Sequence, residues 1–220
     1  MDEYFNVFLQ GKGFAPAFDA IPVDAATLEY YKGKVPDRLL GYWKEYGFCG
    51  FGESLLWLTN PKDYEELVEQ WLGQTHLWGK GNFYVFARTA FGELYIYSNE
   101  GDGETIINPH SNTILPCDFP SPPPTKEEQE RGLGIFFECT DKKDPDFYDK
   151  NEKHLFKRCL KKLGRLANDE MYTFVPALAL GGIADIEHVQ KVKIHEQLSL
   201  LASLDTPTVM KSTTELFGKI

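Results

Sequence analysis

Five histidines, at positions 76, 110, 154, 188 and 195, and four cysteines, at 49, 117, 139 and 159, are the side chains through which this chain could ligate a metal or activate a nucleophile. A metal centre needs ligands that converge on one point. His188 and His195, with Asp185, are the acid and histidine cluster closest in sequence, and their spacing fits neither an i,i+4 helical pair nor H-E-x-x-H. His195 and Glu196 instead suit the start of a helix. The cysteines are far apart with no C-x-x-C, which suggests neither a zinc ribbon nor a redox pair; they read as small buried apolar groups or free thiols. The stretch "FGES" at 51–54 lacks the G-x-S-x-G of a nucleophile elbow. The glycine pair in "PALALGG" (176–182) lacks the lysine and hydroxyl residue of a phosphate loop and is followed by a strand pattern, so it reads as a backbone bend. No catalytic residue, metal site or cofactor is expected, and the chain is read as a non-enzyme.

Charge points elsewhere. With 23 Lys and Arg against 33 Asp and Glu the formal net charge is −10, which repels nucleic acid and anionic lipid and favours a cationic partner. The acids are clustered. "GELYIYSNEGDGETI" carries Glu93, Glu100, Asp102 and Glu104 with no compensating base, and "DKKDPDFYDKNE" adds Asp141, Asp144, Asp146 and Asp149. Such loops can imitate a phosphate backbone toward a basic protein surface, although solubility accounts for them equally well. Exposed members of Tyr95, Tyr97, Phe147 and Tyr148 would be aromatic anchors for a partner. One basic stretch runs against the trend: in "EKHLFKRCLKKLGRL" Lys153, Lys157, Arg158, Lys161, Lys162 and Arg165 lie opposite Leu155, Phe156, Cys159, Leu160, Leu163 and Leu166. It reads as a solvated helix face partly neutralised by the acids of 138–152, with RNA binding as an alternative.

The elements that position these groups are legible from periodicity. "KVPDRLLGYWKEYG" predicts a proline-led helix stopped by Gly47, and "ESLLWLTNPKDYEELVEQWLG" predicts a short strand followed by a helix capped at Asn60. Aromatic and β-branched segments from Asn82 to Thr113 predict an antiparallel meander with one face against the helices, Leu94 and Ile96 on one side and Tyr95 and Tyr97 on the other. "PCDFPSPPP" is a stiff connector, with an SH3-type ligand as its less favoured reading. Thr125 and Glu128 then have capping-box spacing. "MYTFVPAL" and "EHVQKVKI" predict strands around the glycine pair, and "HEQLSLLASL" a closing helix. The fold class is α+β, with antiparallel sheet packed against helices in two closely associated subdomains: 1–115, a connector at 116–124, and 125–220. The acidic start "MDEYFNVFLQGKGF" has no export-signal pattern, and the longest apolar run is too short to span a bilayer. A cytoplasmic protein is expected.

"VPDRLLGYWKEYGFCGFGESLLWLTNPKDYEELVEQWL" resembles the GAD-like domain, in which a proline-led helix ending "W..YGF" precedes a glycine, an apolar strand and an "NP..Y" helix. "LGRLANDEMYTFVPALALGGIADIEHVQKVKIHEQLSLLASL" resembles the C-terminal domain of type VI secretion immunity proteins, through "LG.L...E.Y.F.PAL.LGG" and the terminal "EQLSLLA" helix. The resemblance implies a bacterial cytosolic antidote that binds an injected toxin, a DNase, directly, with no nucleic-acid or membrane contact of its own. It carries no catalytic residues over. The partner surface is expected among Glu93, Tyr95, Tyr97, Glu100, Asp102, Glu104, Asp144, Asp146 and Tyr148. The competing expectation is a small enzyme or ligand sensor with a pocket near His188 or His195.

Overall fold

The computed structural model describes residues 2–217. It opens with a short helix, α1 (Glu3–Asn6), that widens into a π-helical turn at Val7–Gly11, followed by β1 (Phe18–Ile21) and α2 (Ala25–Tyr31). The proline-led helix is α3 (Asp37–Tyr46), with Pro36 as its N-cap residue. Gly47 ends it, as expected, at φ 77° and ψ −171°, a conformation that favours glycine. A Cβ there would lie 2.5 Å from the Ile21 carbonyl oxygen, so β1 and α3 approach each other only across a glycine.

The strands β2 (Phe48–Phe51), β3 (Leu56–Leu58), β4 (Phe83–Thr89), β5 (Leu94–Ser98), β6 (Thr105–Asn108) and β7 (Thr113–Leu115) continue from β1 as an antiparallel meander. Asn60 caps a 3-10 turn (Pro61–Tyr64) that leads into α4 (Glu65–Leu72), as its spacing suggested. The second half supplies α5 (Lys126–Cys139), α6 (Phe156–Leu163), the antiparallel pair β8 (Glu170–Phe174) and β9 (Val189–Lys193), and α7 (Ile194–Leu204). Next, β10 (Thr208–Val209) pairs in parallel with β7 and closes the edge of the large sheet, before α8 (Thr213–Phe217). The architecture is α+β, eight strands in one sheet and two in another among the described residues.

Helices cover both faces of the meander, where one covered face was expected. Tyr95, Tyr97 and Phe86 point into a core shared with α1, α3, α5 and α6, while Val85, Leu94, Ile96, Ile107 and Ile114 meet α4 and α7. The alternation along β5 is as predicted, but both of its faces are interior. The first core joins the halves of the chain. Phe137 of α5 sits edge-on to Phe5, Phe8 and Tyr42, with centroids 4.9, 5.3 and 5.4 Å away, the favourable arrangement for aromatic quadrupoles. Gly134 lets α1 approach, since a Cβ at that position would stand 2.9 Å from the Tyr4 ring. Glu130 accepts hydrogen bonds from the backbone N–H groups of Asp37 and Arg38, at 2.5 and 2.9 Å, capping α3 in place of the side chain that Pro36 lacks.

Candidate functional site

Three of the predicted acids converge although they come from both acidic stretches. The turn after β5 is tied down by paired backbone hydrogen bonds between Asp102 and Asp118, at 2.8 and 3.2 Å, and it presents Asp102 outward with Glu104 half-buried behind it. Across from it α5 ends, and Asp144 stands exposed in the following loop, where its carboxylate accepts the Asp141 N–H at 2.7 Å. Between them lies an open groove of about 420 Å³ whose wall includes Ile135 and Phe136 of α5. Ile135 is 43% exposed and gives the groove an apolar strip. An apolar strip flanked by carboxylates suits an anchor side chain carried by a basic surface. Burial pushes the Glu104 carboxyl up to about 7, with the Asp102 charge adding to the effect.

The other predicted residues are placed differently, and the reason is burial. Tyr95 and Tyr97 are 6% and 8% exposed and belong to the core, so neither can anchor a partner. Glu93 turns inward, accepts from the Asn108 amide at 3.1 Å, and has its carboxyl raised by burial. Asp146 caps α6, accepting from the Phe156 N–H at 2.8 Å, and Phe147 packs on Phe91 and Phe174. Asp149 is consumed by Arg158 and by the N–H groups of Asn151 and Lys153, which hold its carboxyl down to about 2. Glu100 is half-buried beside the Asn99 amide. Tyr148 is exposed but leans on His154, with ring centroids 4.4 Å apart. Ile135 was missed from sequence because its helical spacing reads like that of any core position.

The basic stretch centres on α6, and half of its six cations are ion-paired, Lys157 with Glu53, Arg158 with Asp149 and Lys162 with Glu187, while Arg165 stacks on Phe18. Two of its partners come from outside 138–152. No cluster of three or more His, Cys, Asp or Glu able to hold a metal occurs among the described residues. None of their helices is long and apolar enough to cross a membrane. In the glycine pair, Gly181 adopts a left-handed conformation, and a Cβ on Gly182 would fall 2.0 Å from the Pro176 oxygen, so the pair serves the backbone bend.

The histidines separate. His188 ends a short 3-10 turn, whereas His195 at the start of α7 enters a second concave site of about 220 Å³, with its ring 4.9 Å from that of Tyr64. Burial lowers the His195 pKa. Arg88 of β4, missed in the sequence because a strand arginine ordinarily points to solvent, reaches the same cleft.

Comparison with known proteins adds family and fold. Residues 3–110 match the GAD-like domain model, and residues 130–205 match the model for T6SS immunity protein Tdi1, C-terminal. No curated protein matches the chain. The crystal structure of Atu4351 from Agrobacterium tumefaciens is similar, with a TM-score of 0.82 and 21% identity over 100% of this chain and 99% of that one. At that identity the likeness is one of fold.

Proposed function

A chain that carries a GAD-like domain followed by the C-terminal domain of a type VI secretion immunity protein has the makings of an antidote, and on that premise we propose that it neutralises a cognate effector by binding it in the cytoplasm. The effector is a DNase in this reading. Its DNA-binding surface is basic, and the groove between Asp102, Glu104 and Asp144 offers carboxylates to that surface and the Ile135 strip to an apolar anchor. The convergence of the two acidic stretches on one groove is the observation that carries the proposal. A stable complex of this kind buries about 800 Å² per partner, much more than the groove itself, so neighbouring surface takes part. Inhibition then follows from covering the DNA-binding face or distorting the toxin, without chemistry by the antidote.

The test is co-purification with the product of the neighbouring gene, followed by a DNase assay on that product with and without this protein. A stoichiometric complex with suppressed nuclease activity is expected. Failure to bind, or binding that leaves DNA cleavage intact, overturns the reading.

A further inference from the structure

The cleft at His195 shares no lining residue with the acidic groove, and it contains a charge that the fold does not neutralise. Arg88 is 1% exposed. Its guanidinium lies 4.7 Å from the centre of the Trp57 ring, donates to the Asn168 carbonyl at 2.6 Å and more weakly to that of Thr89 at 3.3 Å, and meets the Tyr64 hydroxyl. These contacts are neutral. No carboxylate lies within ion-pair distance of Arg88 among the described residues, and nearby Asp169 is engaged by Lys193. A guanidinium has five N–H donors in a planar fork, and holding it in the interior without a counter-ion is unfavourable unless an anion completes the site.

The rim has the opposite sign. Asp24 and Asp63 are exposed at the mouth of the same cleft, each fixed by a local bond: Asp24 accepts from Thr27 N–H at 2.7 Å and Asp63 from the Asn60 amide at 3.2 Å. Cation inside and acids outside describe a receptor for a dipolar molecule. A free inorganic anion would be repelled at the mouth, and a simple amine would be repelled at the floor. The volume, about 220 Å³, is below that of sites for drug-sized ligands and suits a small metabolite.

We propose that this cleft binds a small zwitterion of the α-amino acid class, its carboxylate forked on Arg88 above Trp57 and its ammonium facing Asp24 and Asp63. His195 and Tyr64 flank the bound molecule. The site goes beyond the antidote reading and can be tested without any toxin.

Calorimetry and thermal-shift measurements on the full chain would use the free α-amino acids, their decarboxylated amines, their N-acetyl derivatives and inorganic phosphate. At least one amino acid is expected to bind with a Kd below roughly 1 mM and to raise the melting temperature. Its amine and its N-acetyl derivative should bind at least about tenfold more weakly. Arg88→Lys should abolish binding by removing the fork. Should that variant fail to fold, Asp63→Asn and Asp24→Asn decide. Asparagine also caps helices, so Asp24→Asn keeps α2 intact. Both should weaken binding with little change in the melting temperature of the free protein. Absence of binding by every amino acid overturns the proposal, as does protection by phosphate that Asp63→Asn leaves unchanged.

Discussion

The stretch just ahead of α6 and the rim of the α5 groove both carry aspartates, and Asp144 and Asp146 even share one loop, yet their carboxylates have different fates. In the loop, Asp146 and Asp149 are filled by backbone N–H groups and by Arg158, so their charge is used up in shaping the chain. At the rim, Asp102 is exposed and Asp144 accepts a local N–H while standing in solvent. The difference teaches that acidic density alone does not mark a binding surface. What matters is whether the fold has already consumed the acceptors.

The same contrast sets Tyr95 against Tyr148. Tyr95→Ala opens a cavity in the core between the meander and α5 and should destabilise the protein by about 3–5 kcal/mol in urea unfolding. Tyr148→Ala removes an exposed ring and should cost under about 0.5 kcal/mol. Equal losses would erase the distinction between interior and rim. Charge reversal at the rim, Asp102→Lys with Asp144→Lys, should instead cost the fold only the exposed Asp144 turn bond, under about 1 kcal/mol, and weaken toxin binding by about 2 kcal/mol, near 30-fold, most visibly in the association rate at low salt. A titration showing unaltered affinity would remove the groove from the interface. In the loop, Asp146→Ala should have the reverse signature, losing a helix cap worth about 1–2 kcal/mol while affinity for the toxin holds.

The smallest effect sharpens the comparison through protons. Glu104 has a folded pKa of about 7, above the usual carboxylate value, so the folded state binds a proton that the unfolded chain has already released. Stability from this group is therefore full at acid pH and declines as pH rises from the ordinary glutamate range toward about 7. Glu104→Gln should flatten that slope in pH-dependent melting. A basic partner seated on the groove would favour the ionised form, and complex formation near pH 6 should release a proton, measurable by calorimetry in buffers of different ionisation enthalpy. Proton uptake would contradict a cationic partner.

Much of this was legible before the structure. Helices α3, α4 and α5, the meander and the strands around the glycine pair follow from local spacing, and Thr125 with Glu128 forms the capping box their separation suggests. What spacing could not show was the second layer of helices. Leu94 and Tyr95 alternate as they would with one face in water, because aromatic tyrosines are compatible with either environment; only the packing of α5 and α7 on opposite faces decides it. The pairing of Asp102 with Asp144 across a groove, and the unneutralised Arg88, depend on residues far apart in sequence. Neither leaves a periodic trace.

Glu130 has an implication for inheritance. The residue lies in the segment matched by the immunity-protein model, but it caps a helix in the segment matched by the GAD-like model, and Phe137 completes an aromatic cluster begun at Phe5 and Phe8. Exchange of one half between diverged relatives would break a helix cap and a ring contact together. The two matched segments therefore share one cap and one aromatic cluster, and neither is expected to keep its stability when the other is replaced.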